Sequence, residues 1–555
     1  MSFAALIRHL VLFMTIVELS CSMAAGQQQT TAKESRRHRY ILEQRATIQK
    51  DFAFELNQVS EWCRENELDQ AATDVTQMSL DLTTDDPTTG PSRMVTLPIS
   101  LSLPEAERQW RETTRQLRED RAKDLYTLAR KALRAGLPSI AYRLVQDVLR
   151  LNPDHANARA ILGQQKFHDP LHDDDDDTYA GEWVSPWEAK KRGGRTPHLL
   201  DARFGWIPRG HLKRYEEGMR PWKGSWHSQQ KDDLIRSDFR NAWEIESEHF
   251  LVRTNVGLEE GVLLSQRLET YYEWLRQTFA AFFDTPADLK ARFEQATVRR
   301  RSRARTPAPM EVWYYATRDE YQRQIRRKVP PEIETNGLYW QPDRRCYFFK
   351  NAKRDGLDTL FHEATHQILD VPTRQARVTA SRTIARRTRS KYQEWILGGQ
   401  SEFWVIEGLA CYFESFDVQD GVIKVGRPDH IRQLAAQTRL LRDGFYIPLE
   451  TFCRLGKQEF QHHPNRAQLY SQASGVAHFL MHYDDGRYRD DLVTLLEHIY
   501  RPDGRNPQMN VSLAEITGVG YTELNKQYRE YMENLFQQNH QLQQARQQDI
   551  RFGPR

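Results

Sequence analysis

Residues 361–370 read FHEATHQILD. Positions i and i+4 of an α-helix share one face about a turn apart, so His362 and His366 project together and can offer two ring nitrogens to one ion. Zinc accepts imidazole readily, and a catalytic zinc keeps three protein ligands and an open position. Glu363 directly follows the first histidine, where it can take a proton from a water at the metal and later pass one to a leaving amine. Asp358 and Thr359 are suitable caps for the start of this helix. The chain holds 18 His, so a pattern this short also arises by chance, and the reading needs a third ligand.

The segment EFWVIEGLACYFES, 402–415, has helical spacing and supplies Glu407 as that ligand. A solvated helix glutamate is the plain alternative, and Glu402 and Glu414 are the other acidic positions of the segment. HExxH followed by W-x-x-E-G-x-A-x-Y resembles the gluzincin zinc peptidases, among them thermolysin and the aminopeptidases related to leukotriene A4 hydrolase. It is closer still to the peptidase-MA-like domains of secreted bacterial proteins. The similarity spans about 242–535. It implies one Zn2+ per chain on His362, His366 and Glu407, with Glu363 as general base. It also implies an α+β, thermolysin-like domain of a small sheet and helices, followed by a helical C-terminal part.

Peptide hydrolysis needs a donor to the developing oxyanion. The helical stretch QLYSQASGVAHFLMHYDDG, 468–486, offers Tyr470, His478 and His482. Tyr470 resembles the tyrosine often found at this place in the family; an aromatic packed between helices is the alternative. Three departures stand out. The stretch VPTRQARVTASRTIARRTRSK, 371–391, is basic with no acidic residue, and reads as a solvated insert or as a rim attracting acidic substrates. Cys411 stands where thermolysin-like enzymes carry an aspartate bracing a zinc histidine, which leaves Asp370 and Glu414 as candidates for that duty. The G-x-M-E-N segment of related aminopeptidases is absent, so exopeptidase action is without support.

Around the motif, WEIESEHFLVRTN (243–255) alternates like a strand and GLEEGVLLSQRLETYYEWLRQTFAAFF (257–283) reads as a long amphipathic helix. The basic run at 299–309 reads as a loop and MEVWYYA (310–316) as a strand. GLYWQPDRRCYFFKN (337–351) reads as a hairpin. Its second strand, CYFFK, is expected to receive a peptide as an added strand.

The preceding half differs. Residues 1–25 combine a basic start, the apolar run LVLFMTIV and the small-residue stretch SMAAG, the order of a secretory signal. A lipid anchor at Cys21 is the less favoured alternative, because Glu18 interrupts the apolar stretch before it. No second apolar segment is long enough to span a membrane, so a secreted or periplasmic protein is expected. Residues 26–165 are helical, and about 124–163 resembles a tetratricopeptide (TPR) unit that serves either as a partner-binding surface or as a spacer. TTDDPTTGPS (83–92) reads as a linker. Residues 166–241 hold the aspartate run LHDDDDDTYAG (171–181), read as a solvated linker, and a Trp/Gly/Arg-rich, β-rich connector. This predicts two separable halves. Residues 536–555 form a Gln-rich, frayed tail.

The composition is globular, and a net charge of +3 over 555 residues gives no reason to expect nucleic acid. Cys63, Cys346, Cys411 and Cys453 show no CxxC spacing; one disulfide or buried free thiols both suit them. The expected function is an exported zinc-dependent metallopeptidase acting on a peptide or protein substrate. The alternative is a secreted scaffold whose TPR-like helices bind a partner and whose zinc is structural. Mass spectrometry of the exported protein should find a mature chain starting near residues 25–27. An intact Met1 or a lipid on Cys21 would overturn that reading.

Overall fold

The computed structural model describes residues 36–83, 99–100, 102–169, 181–294, 308–329, 335–351, 357–419, 422–503 and 511–552. The signal stretch, Cys21, nearly all of the 83–92 linker, the aspartate run and most of the basic 299–309 loop lie outside them. The chain is of mixed α and β structure, with helices predominating. Among the described residues no helix is long and apolar enough to cross a membrane.

The sheet follows from alternating apolar residues. Its five strands lie in the order Gly337–Trp340, Arg345–Phe349, Met310–Tyr315, Phe250–Thr254, Trp243–Glu246. The two outer pairings are antiparallel and the two inner ones parallel. Ile245, Phe250, Val252, Val312, Cys346 and Phe348 alternate onto one face and join the main core. The helices Leu258–Thr278 and Leu357–Thr388 pack on the sheet. Trp313, Tyr315, Tyr347 and Phe349 occupy the other face with Tyr321, in a smaller cluster of their own.

This order corrects one expectation. CYFFK is an inner strand: Cys346 pairs with Tyr339 on one side and with Val312 on the other. Both rows of its backbone groups are used, so no further strand can join it. Among the described residues the free edge beside the histidines belongs to Gly337–Trp340. Gly337 lets that edge approach, because a Cβ there would stand 2.6 Å from Thr359 Cγ2 of the histidine helix.

A second correction concerns the basic insert. The histidine helix continues through it, from Leu357 to Thr388, across Pro372. Proline removes one backbone donor. Just after it, Thr373 Oγ1 donates to Leu369 O at 2.8 Å and to Asp370 O at 3.0 Å. Thr373, Arg377, Ala380 and Ser381 are buried, a helical spacing, and the remaining arginines face outward. What reads as solvated text is an amphipathic helix with a polar inner face.

In the N-terminal half, helix Glu105–Arg134 turns at Ala135–Leu137 into helix Pro138–Leu151. Arg45 of the helix at 36–65 pairs with buried Asp147 at 2.8 Å. The halves do not separate as expected. Ala280, Leu289 and Phe293 belong to the core of the N-terminal helices, and Tyr142 meets Phe293 edge-on. Gln146 donates to Gln277 at 2.7 Å. The connector alternates short antiparallel pairs, such as His198–Asp201 with Gly205–Pro208, with short helices such as Pro186–Arg192 and Gln229–Arg236. The tail is not frayed at its start, since Asn539 is buried and donates to Pro428 O at 2.7 Å within helix Tyr521–Phe552. All four cysteines of the described residues are free and buried.

Asp490 ties the halves together: Ser139 N and Oγ donate to its carboxylate at 3.1 and 2.9 Å. Burial outweighs these bonds and pushes its pKa up to about 6 from the usual 3.8. A carboxyl raised on folding contributes stability that is complete below its unfolded pKa and is lost as pH rises through the folded one. The loss therefore falls between about pH 4 and pH 6, at about 1.4 kcal/mol per pH unit across that window. Asp490→Asn should flatten this part of the stability profile, measured by thermal unfolding at pH 4 to 7; an unchanged slope would count against the coupling.

Candidate metal centre

Three elements build the site. His362 and His366 share one face of the histidine helix, with ring centroids 5.0 Å apart. Glu407 comes from helix Phe403–Phe413, every residue of which is buried. Helix Arg466–His482 lies against it. Gly408 makes that contact possible, since a Cβ there would stand 2.5 Å from Ala473 O. Tyr412 of the same motif bonds His482 Nε2 at 2.7 Å, and Trp404 Nε1 donates to Glu402 at 2.6 Å. Much of the W-x-x-E-G-x-A-x-Y pattern is thus packing around one glutamate.

Glu407 Oε2 lies 3.6 Å from His362 Nε2 and 3.9 Å from His366 Nε2. The ligand atoms of all three residues fall within 4.8 Å of one another. Two atoms each about 2.0–2.1 Å from one tetrahedral ion stand about 3.3 Å apart, so small side-chain shifts fit the set to zinc. The side chains keep slight exposure, 15 % for His362, 16 % for His366 and 11 % for Glu407, which leaves a way in.

The other nitrogen of His362 explains its orientation. Nδ1 lies 2.9 Å from Glu414 Oε1, and Arg432 grips the same carboxylate with two donors at 2.6 and 2.8 Å. Burial works against an ionised Glu414, but the bonds from His362 and Arg432 prevail and hold its pKa at about 2. The ring is thereby fixed with Nε2 toward Glu407. Of the two proposed braces, Glu414 is the one that reaches a histidine, while Asp370 accepts from Tyr339 Oη at 2.6 Å and Gln341 at 3.1 Å and pairs with Arg377. Cys411 is buried beside His362 and Glu414, close enough to form a second ligand-type group with them.

The two histidines differ in charge preference. Burial lowers His366 to about 4, leaving it neutral with a lone pair to give. For His362 burial acts in the same direction, but bonds to Cys411, Glu407 and Glu414 overcome it and raise its pKa well above the usual value. Its surroundings are strongly anionic, the environment that favours a cation between the rings. Glu363 Oε2 accepts the backbone N–H of Tyr339 at 2.6 Å, so the free edge strand holds the carboxylate, and burial raises its pKa.

Tyr470 packs edge-on against Phe460. Burial raises its pKa first, and the charge of Glu407 next, so the phenol stands within the field of the site and keeps its proton. His478 and His482 are already engaged and cannot serve as oxyanion donors. His478 is bonded to Gly426 O at 2.8 Å and Tyr531 at 2.7 Å, and His482 to Tyr412. Glu402 is no ligand either: it sits at the helix N-cap with φ 58° and is pushed up to about 8 by burial. Arg432 and the Tyr339 amide escaped the sequence reading. Neither carries a motif, and both reach the site only through folding.

Comparison of the chain with protein-family models, with characterised proteins and with solved structures found no match. Glu414→Gln should weaken zinc binding about 10–100-fold, as loss of a histidine's outer partner typically does. Arg432→Met should act in the same direction. Competition titration with a chromogenic chelator checks both, and affinity equal to that of the parent protein would show that the brace is idle.

Proposed function

We propose that the chain is an exported zinc-dependent peptidase of the gluzincin type. One observation carries this reading: two imidazoles and a carboxylate converge on one point while a further carboxylate, Glu363, is anchored to a free sheet edge next to them. Zinc in such a place polarises a carbonyl and acidifies a water. His362, His366 and Glu407 would hold it. Glu363 takes the proton of the attacking water and returns one to the leaving nitrogen. Tyr470, protonated and within the field of Glu407, donates to the oxyanion. The substrate lies extended along Gly337–Trp340, where alternation in the antiparallel pair turns the Tyr339 amide away from its partner strand and toward Glu363. A mixed sheet whose edge strand borders the histidine helix, followed by the helix bearing Glu407, supports the thermolysin-like arrangement.

The scaffold reading draws less support. Structural zinc is usually closed by cysteines, and a site that only ties the fold together needs no carboxylate beside its ligands. The TPR-like helices also pack against Ala280, Leu289 and Phe293 of the rest of the chain.

Glu363→Gln keeps the shape of the site and removes the base. It should retain about one zinc per chain by elemental analysis, yet cleave a peptide library about 10²–10⁴-fold more slowly. Glu407→Ala should lose the metal. A chelator should abolish cleavage by the parent protein, and zinc should restore it. Cleavage by Glu363→Gln at the parent rate, or none by the parent itself, would favour the scaffold.

A further inference from the structure

The far end of the histidine helix borders a cavity of about 480 Å³, the size of a small-molecule site. It lies apart from the metal centre, since none of His362, Glu363, His366, Glu407 or Tyr470 lines it. Ser381, Ile384, Ala385 and Thr388 form one wall, at the i, i+3, i+4, i+7 spacing of a single helix face. Ile396, from the segment that leads to the Glu407 helix, and Leu495, from helix Arg489–Tyr500, close it from the other sides. Burial marks its depth. Ser381 and Leu495 are buried, Ile384 and Ala385 half-buried, Thr388 and Ile396 exposed. From Ser381 at the inner end to Thr388 at the mouth is about 10 Å along the helix.

Ser381 departs from the habit of its helix. Thr365, Thr373, Thr379, Thr383 and Thr388 each donate to the carbonyl four residues earlier, at 2.6 to 2.9 Å. Ser381 makes no such bond. It is only 4 % exposed, and its Oγ has no hydrogen-bond partner among the described residues. A buried hydroxyl left unpaired is costly and calls for a partner. A lone water needs several polar neighbours. The other buried polar side chain of the lining, Glu402, is already engaged, accepting from Trp404 Nε1 at 2.6 Å.

The charges around the cavity narrow the class of occupant. Its cationic side chains, Lys391 and His498, are exposed, so none stands at the inner end to neutralise an anion. An ionised head carried that deep would lose its hydration without compensation. The walls between mouth and inner end are mainly aliphatic. A neutral polar group on an apolar body suits both ends.

We propose that this cavity binds a small, largely apolar molecule whose single uncharged polar group, a hydroxyl or amide, bonds Ser381 Oγ at the inner end. Its body, about as long as an eight-carbon chain, lies along Ile384 and Ala385 toward the mouth. The site is independent of the metal and of peptide hydrolysis.

The test titrates the full chain with 1-octanol, octanoate and octylammonium by isothermal calorimetry. The parent should bind 1-octanol one to one, and about tenfold or more tightly than either charged analogue. Ser381→Ala should weaken 1-octanol about three- to tenfold, the weight of one neutral hydrogen bond. Ala385→Trp fills the cavity and should abolish binding of all three probes, with a cooperative unfolding transition as the check that it folds. If that variant does not fold, Ser381→Ala decides alone. No saturable binding of 1-octanol by the parent, or equal affinity in Ser381→Ala, would overturn the site. Octanoate or octylammonium bound as tightly as 1-octanol would overturn the neutral head.

Discussion

A carboxylate on a wholly buried helix governs this molecule. All eleven residues of Phe403–Phe413 are buried, and Glu407 is the charged one among them. An ionised carboxylate in such a place is costly unless opposite charge and donors surround it. The imidazole of His362, its pKa raised by the carboxylates around it, supplies much of that surrounding, and it does so only if two helices cross at one place. Gly408 lets a third helix close over the pair. Around this contact the chain then adds Glu414 and Arg432, which keep one ring from turning.

The sheet is the other half of the device. Because the CYFFK strand is locked between two partners, the strand before it becomes the border of the site. That border holds Glu363 through the Tyr339 amide and holds Asp370 through the Tyr339 hydroxyl. One residue thus connects two turns of the histidine helix to the sheet edge. The long continuation of that helix, with Arg377 paired to Asp370, adds rigidity from the far side.

Much of this was legible beforehand because it rests on short-range periodicity. The i, i+4 spacing of the histidines, the strand alternation at 243–254 and the hairpin at 337–349 need only neighbours in sequence. The misjudged parts involve partners far away. The 371–388 stretch looks solvated because its arginines dominate the composition, yet the small polar residues between them make its buried face. The two halves looked separable because an acidic run lies between them, yet apolar side chains at 280–293 complete the N-terminal core.

The sequence by itself determined which groups were present for chemistry: two imidazoles on one helical face, a glutamate beside the first, and a motif with another glutamate. Side-chain identity and helix period suffice for that. Only the tertiary structure decided which carboxylate braces His362, which strand is open and which histidines are spent on packing. These depend on distances between residues tens of positions apart, and such distances are set by how helices and strands pack rather than by any local preference of the chain.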